Sequence, residues 1–357
     1  MSSKAYDKVG FAVLGGGGIG RRHINCIKEA EGAELVAICD IIPEVATKMA
    51  EENGVAAYTD LDEMLKRDDI QVVNICTPSG LHADAIIRCA AAGKHVITEK
   101  PLDITLERID KAINACKEAG VNLACIFQNR LTPTNMMIKK FIDKGGLGRL
   151  LIGTASVLWY RTQEYYDAGG WRGTWAMDGG GSLMNQSIHT IDLLQWFMGP
   201  VESVIGYTGI LSHNIETEDT GIGIVKFKNG AVGTILGTTC AYPGIATAVQ
   251  LFGENGSIIS DNNKLKVWKM RGESKEAENE EEEKMLKAYG SLKAESGSAD
   301  PSSITKAGHL IQIEDMVKAV KEGTEPIITG EDGRYSVEII QAIYESARTG
   351  KEVKLPL

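Results

Sequence analysis

Short apolar runs and amphipathic stretches alternate through the first 127 residues of the chain. The runs are typical of buried strands, and between them apolar positions recur at helical spacing. The predicted strands are Gly10 to Leu14, Glu34 to Cys39, Val72 to Cys76, His95 to Thr98 and Asn122 to Phe127, and the predicted helices are Ile19 to Glu29, Pro43 to Asn53, His82 to Ala92 and Leu106 to Ala119. Because strand and helix units of this size alternate, we predict an α/β domain with a parallel, doubly wound sheet.

The pattern changes after about residue 148, where consecutive strand-like runs replace the alternation. These runs are Leu150 to Trp159, Val201 to Ile210, Thr220 to Phe227, Ala231 to Cys240, Thr247 to Phe252 and Ser257 to Ser260. Asn229-Gly230 lies between two of them and is a hairpin turn signal. Helices are predicted at 134–148, 182–197, 304–322 and 333–347. We therefore predict a second, α+β domain with a large, mostly antiparallel open sheet, and divide the chain into residues 1–127 and 128–357.

The overall composition limits the classes of function. Of the 357 residues 43% are hydrophobic and 24% are charged, which is ordinary for a soluble globular protein, and the net charge of -10 argues against a protein that binds nucleic acid. The start of the chain has no apolar signal core, and no run of about 18 apolar residues occurs, so we expect a cytoplasmic protein without a membrane partner. The seven cysteines lack CxxC and zinc-like spacing, which predicts reduced core residues and no metal site.

Residues 273–283 are rich in glutamate and contain little that can pack. Such a run is typical of a solvated helix or of a disordered excursion. A mobile lid over the active site is the alternative, and the sequence leaves these interpretations open.

The first predicted strand continues into a glycine-rich loop that satisfies the spacing G-x-G-x-x-G with Gly15, Gly17 and Gly20. In this fingerprint the first glycine permits a tight turn, the second lets a pyrophosphate approach the backbone, and the third allows the helix to pack closely on the strand. The motif alone is weak evidence, because glycine runs also form ordinary loops. Here a strand precedes it and a helix follows it, so we predict a dinucleotide site that includes Gly18 and Ile19.

Asp40 ends the second predicted strand, twenty residues after Gly20. A carboxylate at this position accepts hydrogen bonds from the adenosine ribose hydroxyls and repels a 2′-phosphate. Ile41 and Ile42 follow it, so no adjacent arginine offers that phosphate a partner. We therefore predict NAD rather than NADP as the cofactor.

Two further loops follow strands of the predicted parallel sheet. Thr77-Pro78-Ser79 offers two hydroxyl groups to the cofactor, and we interpret His82 as packing close to it. Glu99-Lys100-Pro101 places Lys100 where a nicotinamide ring would lie, since ligands of such sheets bind beyond the carboxyl ends of the strands. An ammonium there can hold a substrate hydroxyl and stabilise the alkoxide that forms as hydride leaves. The alternative is a surface lysine before a proline turn.

The segment from Asp178 to Asp192 contains three consecutive glycines, followed by Asn185 and His189 on one face of a predicted helix. The glycines let backbone and substrate approach closely. A histidine here can take the hydroxyl proton, because its ordinary pKa of about 6.5 suits proton exchange near neutrality. Asp192 either orients the imidazole ring or anchors the helix. Taken alone, a helical histidine is more often structural.

Together these motifs resemble the glucose-fructose oxidoreductase, inositol dehydrogenase and MocA family, abbreviated Gfo/Idh/MocA. The resemblance covers nearly the whole chain, including a closing helix with Gly308, His309, Gln312 and Asp315. It implies a Rossmann domain followed by an α/β domain whose open sheet forms oligomer contacts. It also implies NAD(P)-dependent oxidation of a secondary alcohol on a sugar or cyclitol, with Lys100 and His189 at the positions of the family's catalytic lysine and histidine.

One position departs from the family pattern. Many family dehydrogenases carry aspartate where this chain has Asn185, and an amide can only hydrogen-bond, whereas a carboxylate can also accept a proton. We therefore expect His189 to act as the only base, with Lys100 positioning the hydroxyl and Asn185 binding the substrate. Asn185-Gln186-x-x-His189 is similar to relatives that act on sugar nucleotides and glycosides, often at the C3 hydroxyl.

The remaining candidates belong to the expected cofactor and substrate sites. Arg172 either binds a carboxylate or phosphate of the substrate or, with Trp171, reaches the cofactor. The predicted cofactor residues are Gly15, Gly17, Gly18, Ile19, Gly20, Asp40, Thr77, Pro78, Ser79, His82, Glu99, Lys100, Asn129, Trp171 and Arg172. The predicted substrate residues are Lys100, Tyr160, Arg172, Asn185, Gln186 and His189.

The sequence thus predicts an NAD-dependent dehydrogenase with a sugar or cyclitol substrate, assembled as a dimer or tetramer through the sheet of the second domain. One alternative is a redox-neutral enzyme, in which tightly held NAD oxidises a sugar carbon transiently and permits elimination or epimerisation. Another is a non-enzymatic regulator that binds NAD and a sugar. The presence of both Lys100 and His189 argues against the regulator.

Overall fold

A computed structural model describes residues 7–290 and 307–357. It divides into two compact units, which we call unit 1 (7–128 and 307–334) and unit 2 (129–290 and 335–357). The first crossing of the chain between the units follows Gln128, next to the predicted boundary. The sequence analysis did not place 307–334 with the first unit, because a local pattern does not show to which core a distant helix returns.

Unit 1 contains a six-stranded parallel sheet with the strand order β3-β2-β1-β4-β5-β6. Its strands are β1 (Val9–Leu14), β2 (Ala33–Cys39), β3 (Ala56–Tyr58), β4 (Val72–Ile75), β5 (His95–Thr98) and β6 (Leu123–Cys125). The central strands β1 and β4 are buried along their whole length, as expected for a sheet covered on both faces. This strand order is that of dinucleotide-binding folds, and it confirms the predicted doubly wound sheet.

Unit 2 contains an eight-stranded sheet with the order β13-β12-β11-β7-β10-β9-β8-β14. Its strands are β7 (Leu150–Leu158), β8 (Val201–Gly209), β9 (Thr220–Phe227), β10 (Val232–Thr238), β11 (Ala246–Gly253), β12 (Gly256–Asp261), β13 (Lys264–Met270) and β14 (Val353–Lys354). Only β7 and β10 pair in parallel, so the predicted mostly antiparallel sheet is confirmed. The sequence analysis missed β13, although its alternating lysines are a strand signal.

The helices pack on these two sheets. They are α1 (Gly18–Glu29), α2 (Pro43–Asn53), α3 (Leu61–Leu65), α4 (His82–Ala91), α5 (Leu106–Ala119), α6 (Pro133–Asp143), α7 (Gln163–Asp167), α8 (Ile188–Met198), α9 (Lys275–Tyr289), α10 (Ala307–Glu322) and α11 (Gly330–Thr349). The bounds of α2 and α5 are those predicted. The sequence analysis missed β3 and α3, because segments of three and five residues are too short to show a period.

The two faces of the unit 2 sheet differ. One face is buried beneath helices: a Cβ on Gly153 would lie 2.7 Å from Met198 of α8, and one on Gly206 would lie 2.6 Å from the carbonyl oxygen of Ile343 in α11. The opposite face carries exposed apolar side chains on four adjacent strands. They are Ile152, Ile205, Tyr207, Ile222, Ile224 and Val232.

The predicted continuous helix at 182–197 is two elements in the structure. A π-helical segment, Ser182–Ser187, precedes α8. The Ser187 hydroxyl donates to the carbonyl oxygen of Ser182 at 2.7 Å. This hydrogen bond joins the first and last residues of the π segment, whose turn is wider than that of an α-helix. Such π segments occur frequently at functional sites.

The glutamate-rich run belongs to the helix α9, which has no buried residue and is thus a solvated helix. The Trp268 indole donates to Glu281 at 3.1 Å and fastens α9 to β13. Of the predicted helix 304–322, residues 304–306 lie outside the described residues. Among the helices of the described ranges, none combines the length and apolar character needed to cross a membrane.

Candidate active site

The glycine loop after β1 contains three glycines with different surroundings. Gly15 has a φ of 102°, and a Cβ there would lie 2.7 Å from the carbonyl oxygen of Cys76. A Cβ on Gly20 would lie 2.0 Å from the Gly15 carbonyl oxygen, so a side chain would push α1 away from the strand. Next to Gly17, by contrast, no described atom outside the adjoining residues Gly16 and Gly18 lies within 4 Å of such a Cβ. The space next to Gly17 is therefore open, as the fingerprint requires for the approach of a pyrophosphate.

The start of α1 supplies donors for an anion at this place. Gly17 is the N-cap, and no side chain of the described residues caps the helix, so its first N–H groups remain available. Asp40 follows β2, and its carboxylate accepts from the backbone N–H of Gly16 at 2.6 Å and of Ile42 at 2.9 Å. A carboxylate has about four lone-pair sites, which leaves capacity for the hydroxyls of a ribose. These residues fit a dinucleotide.

The loops after β4 and β5 are joined by His82. Its ring nitrogens lie 2.8 Å from the carbonyl oxygen of Pro101 and 2.9 Å from that of Thr77. The Thr77 hydroxyl is buried and has no hydrogen-bond partner among the described residues, as expected if it binds a ligand. Ser79 is buried. His82 thus positions both loops rather than reaching beyond them.

Glu99, directly before Lys100, is the centre of a buried polar cluster. One carboxylate oxygen lies 3.0 Å from Nε2 of His23 and 3.3 Å from Nε2 of His309, and the other accepts from the backbone N–H of Lys100 at 3.3 Å. Burial by itself would raise the pKa of Glu99, but the hydrogen bonds from His23 and His309 outweigh it and hold the pKa well below its ordinary value. The cluster fixes the peptide from which the Lys100 side chain extends.

Sequence reasoning missed the link from Glu99 to His23 and His309, because these residues are 76 and 210 positions away from Glu99. The three side chains also have the types and spacing of a metal site. The side-chain amide nitrogen of Asn74 lies 2.8 Å from Nδ1 of His23, the ring nitrogen that does not face Glu99. Hydrogen bonds therefore already account for the arrangement of these side chains. The absence of a metal stays a prediction.

In unit 1 the structure brings the predicted cofactor residues to one edge of the sheet. The glycine loop follows β1, Asp40 follows β2, Thr77 follows β4 and Lys100 follows β5, and parallel strands have their carboxyl ends at the same edge. Asn129 belongs to unit 2, where its carbonyl oxygen accepts from Asn135 at 2.8 Å and its side chain from Asn263 at 3.4 Å. The structure thus gives Asn129 a local role in orienting its own loop.

In unit 2, atoms of the protein occupy the space next to the glycine run that precedes the π segment. A Cβ on Gly180 would lie 2.1 Å from the Tyr344 hydroxyl, and one on Gly181 would lie 1.8 Å from the carbonyl oxygen of Glu218. We predicted that these glycines let backbone and substrate approach closely. The backbone of Glu218 does approach Gly181 closely. The approach of a substrate to this run stays a prediction.

Glu218, which the sequence analysis missed, completes this loop. Its buried carboxylate accepts from the backbone N–H of Gly181 at 2.9 Å and of Leu183 at 2.8 Å, and from the Tyr344 hydroxyl at 3.0 Å. Burial raises the pKa of Glu218 to about 7, and these hydrogen bonds offset only part of that effect. The start of the π segment is therefore held by a carboxylate that titrates near neutrality.

Asn185 and His189 are the accessible residues of this helical stretch. All the remaining residues from Gly181 to Leu194 are buried, whereas these two are half-buried and lie four positions apart. The Asn185 amide nitrogen donates to Asp178 at 2.7 Å. Both residues are therefore partly exposed within an otherwise buried stretch, and the roles assigned to them stay predictions.

Asp192 anchors the helix, which was one of the two predicted alternatives. Arg130 binds its carboxylate through two hydrogen bonds of 2.8 and 2.6 Å, and the Ser336 hydroxyl adds one of 3.3 Å. Both members of the pair are buried. A buried bidentate pair of this kind fixes α8 in place below His189.

Arg172 and Gln186, two of the remaining predicted substrate residues, contact one aromatic group. The Arg172 guanidinium lies 4.7 Å from the ring centre of Tyr165 and 5.2 Å from that of Trp171. Gln186 donates to the Tyr165 hydroxyl at 3.2 Å, so it is linked to the same group. Tyr160 belongs to a different aromatic pair, in which its ring lies edge-on to that of Tyr242 with the ring centres 5.2 Å apart.

The two halves of the chain match two sequence models of one family. Residues 9–127 match the model described as "Oxidoreductase family, NAD-binding Rossmann fold", and residues 139–355 match "Oxidoreductase family, C-terminal alpha/beta domain". The division between these models lies near the predicted boundary at residue 127.

Several known proteins are similar over most of the chain. The WlbA dehydrogenase from Bordetella pertussis, solved with NADH and UDP-GlcNAcA, is 36% identical, with 98% of each chain covered and a TM-score of 0.88. Myo-inositol 2-dehydrogenase from Thermotoga maritima is 27% identical over 97% of this chain and 98% of its own length. The 2,7-anhydro-N-acetylneuraminate hydratase of Mediterraneibacter gnavus is 31% identical, but over 56% of this chain and 52% of its own.

Proposed function

Because the chain belongs to the Gfo/Idh/MocA family of oxidoreductases, we propose that it oxidises a secondary hydroxyl of a nucleotide-linked sugar acid with NAD. Family membership confirms the predicted oxidoreductase class and the NAD cofactor. The observation that carries the choice of substrate is the 36% identity over 98% of both chains to a dehydrogenase bound to NADH and UDP-GlcNAcA. The C3 hydroxyl is the position that we propose is oxidised, because Asn185-Gln186-x-x-His189 resembles relatives that often act at this hydroxyl.

Bound NAD+ would supply the hydride acceptor, so that oxidation of the substrate hydroxyl to a ketone would release one proton. We assign this proton to His189, whose ring nitrogen takes it from the reacting hydroxyl. The Lys100 ammonium holds the hydroxyl oxygen and stabilises its developing negative charge. Gly17, the start of α1 and Asp40 hold the cofactor, and the Glu99 cluster fixes the backbone of Lys100.

Arg172 supports the acidic part of this proposal. Its guanidinium is half-buried and rests on aromatic rings, and one terminal nitrogen donates to the carbonyl oxygen of Ala168 at 2.7 Å. A guanidinium has five N–H donors, so Arg172 can bind a carboxylate or a phosphate in addition to this carbonyl. The alternative assignment of Trp171 and Arg172 to the cofactor is distinguished by Arg172→Met. A higher KM for the sugar with an unchanged KM for NAD supports contact with the substrate, and the reverse result supports contact with the cofactor.

Turnover with a matched panel tests the substrate. The purified protein is incubated with NAD and with UDP-GlcNAcA, UDP-GlcNAc, the free sugar acid or myo-inositol, and the reduced nicotinamide is followed by absorbance. We expect the highest kcat/KM for UDP-GlcNAcA. Oxidation of myo-inositol without oxidation of any UDP-sugar would overturn the proposed substrate class. The same assay with NADP tests the cofactor preference, and a higher kcat/KM with NADP would contradict the role of Asp40.

Two substitutions test the catalytic assignments. Lys100→Met and His189→Ala are each expected to lower kcat by about 10²- to 10⁴-fold, the usual contribution of a positioned acid or base, while NAD still binds. Lys111→Met is the control, because this lysine is exposed on α5 and forms an ion pair with Glu107, which is also exposed. Near-normal turnover in His189→Ala would refute its role as the base.

The partial similarity to a hydratase favours one other candidate, a redox-neutral reaction with tightly held NAD. Substrate consumption without accumulation of NADH would identify it. Mass spectrometry of the purified protein shows whether nicotinamide stays bound, which this candidate requires.

We also propose that the protein is a homo-oligomer. The exposed apolar face of the unit 2 sheet supports this, because patches of adjacent apolar side chains usually mark an interface. Light scattering of the wild-type protein and of Ile224→Asp tests it. A wild-type dimer or tetramer that dissociates in the variant supports the proposal, and a monomeric wild type contradicts it.

A further inference from the structure

Asp178 connects two segments of unit 2 that carry predicted substrate residues. One of its carboxylate oxygens accepts from the backbone N–H of Gly173 at 2.9 Å, directly after Arg172. The other accepts from the side-chain amide of Asn185 at 2.7 Å. Asp178 itself is buried, with 1% of its surface exposed, whereas Asn185 is half-buried. Asn185 thus joins a buried carboxylate to a partly exposed position, four residues before His189.

The chemistry of this contact determines how the amide is oriented. A carboxylate can only accept hydrogen bonds, so the group of Asn185 that faces it must be the NH2 group. The two partners of Asp178 named above are both donors, which favours its ionised form. Since the nitrogen and the oxygen of an amide point in different directions, the Asn185 oxygen is turned away from Asp178.

We propose that Asp178 is a positioning residue that orients the Asn185 amide so that position 185 presents a hydrogen-bond acceptor to the substrate. The inference rests on the proposed function, because it assigns this acceptor to the site of alcohol oxidation. Many family dehydrogenases have aspartate at this position, and an oriented amide oxygen preserves its accepting character without its charge. Asp178 retains the negative charge one hydrogen bond further from the reacting hydroxyl.

The substitution Asp178→Asn gives a specific expectation. The Gly173 N–H can only donate, so the new amide must turn its oxygen to Gly173 and its NH2 group to Asn185. Two NH2 groups cannot bond to each other, and Asn185 must therefore rotate and present its own NH2 group to the substrate. An acceptor becomes a donor, although the volume of neither residue changes.

The exchange variant Asp178→Asn/Asn185→Asp reverses this effect. The new amide at 178 again faces Gly173 with its oxygen and donates its NH2 group to the new carboxylate at 185. That carboxylate keeps a second oxygen as the acceptor for the substrate. Both hydrogen bonds of the wild type are retained, and the negative charge moves from position 178 to position 185. The exchange variant is therefore expected to fold even if the single variant does not.

Steady-state kinetics with NAD and the best substrate of the panel form the first test. We expect Asp178→Asn to lower kcat/KM on the order of 10- to 100-fold, as for a mispaired buried polar group, and the exchange variant to recover to within about fivefold of wild type. Asp167→Asn is the matched control, because this exposed aspartate also accepts from an amide, that of Gln163 at 3.0 Å. Wild-type kinetics in Asp178→Asn, or no recovery in the exchange variant, would overturn the proposal.

A second measurement does not require turnover. The side-chain amide of Asn185 is observed by NMR in protein labelled with 15N-asparagine, and its signal is assigned by its loss in Asn185→Asp. We expect one amide proton to be shifted downfield and to exchange slowly with water in the wild type, and both features to disappear in Asp178→Asn. If no sugar is oxidised, the proposed function fails, and this signal still decides the orientation; an unchanged signal in Asp178→Asn would refute it.

Discussion

The two glycine runs of the chain look alike in sequence and differ in structure. Each follows a strand or loop and precedes a helical element. In unit 1 the space next to Gly17 is open, and no side chain of the described residues caps the first N–H groups of α1. In unit 2 a side chain at Gly181 would meet the backbone of Glu218, and the Glu218 carboxylate binds the N–H groups of Gly181 and Leu183.

The difference shows that a glycine run before a helix indicates an anion site. The run does not show whether the anion is a ligand phosphate or a carboxylate of the protein. In unit 1 the donors remain available for a ligand phosphate. In unit 2 the protein supplies the anion itself as a buried carboxylate. Only in unit 2 do we expect the stability of the loop to depend on pH, because burial raises the pKa of Glu218 to about 7.

Among the changes that test this comparison, Gly181→Ala should have the largest effect on the free energy of unfolding. The added Cβ would lie 1.8 Å from the carbonyl oxygen of Glu218, and a backbone atom cannot move aside as a flexible side chain can. We expect the free energy of unfolding to fall by about 3 kcal/mol or more, measured by urea unfolding. A loss below about 1 kcal/mol would show that the second loop is as open as the first.

The pH dependence of stability should show the next largest effect. Glu218 has a folded-state pKa of about 7 against an ordinary value of 4.5, so between these values the folded protein binds more protons than the unfolded chain. The contribution of Glu218 is fully present below pH about 4.5 and is lost as the pH rises through about 7, a change on the order of 3 kcal/mol. Unfolding curves from about pH 5 to about pH 8 measure it.

Glu218→Gln is the control for that pH profile, since an amide does not titrate. The decrease in stability between about pH 5 and about pH 8 should be absent or much smaller in this variant. An identical profile in variant and wild type would assign the titration to another group.

Tyr344→Phe should have a smaller effect. The hydroxyl donates to Glu218 at 3.0 Å, and a hydrogen bond to an ionised acceptor is stronger than one to a neutral acceptor. We expect a loss of about 1 to 2 kcal/mol at about pH 8 and a smaller loss at about pH 5, both from urea unfolding. A larger loss at the lower pH would contradict the ionised form of Glu218 as the acceptor.

Gly17→Ala should have the smallest effect on stability and a clear effect on the cofactor. No described atom outside the adjoining residues Gly16 and Gly18 lies within 4 Å of the added Cβ, so the free energy of unfolding should change by less than about 0.5 kcal/mol. The methyl group would occupy the space of the pyrophosphate, and we expect the Kd for NAD, measured calorimetrically, to rise about tenfold or more. Unchanged NAD affinity would mean that the open space serves another purpose.

Several features were predictable because their signals are local. The strand runs before Gly15 and Lys100 are apolar and short, and the fingerprint spacing appears within a few residues. The confirmed parallel sheet, antiparallel sheet, family and cofactor all follow from such signals. The roles assigned to individual site residues remain predictions.

Other features depend on partners that are distant in sequence. Glu218 reaches Gly181 across 37 positions, and His309 reaches Glu99 across 210. Hydrophobic periodicity shows that a residue is buried, but it does not identify the residue against which it packs. The contacts of Gly180 with Tyr344 and of Gly181 with Glu218 were not predicted for this reason, since both partners come from other elements.

The sequence by itself determined the two kinds of sheet, the glycine fingerprint and the family, because backbone conformation and apolar spacing are encoded over a few neighbouring residues. The tertiary structure alone decided which polar groups pair inside each unit: His23 and His309 with Glu99, Glu218 with the second glycine run, and Asp178 with Asn185. The physical reason is that a buried polar group must find a partner, and chain topology determines which partner is close enough to bind.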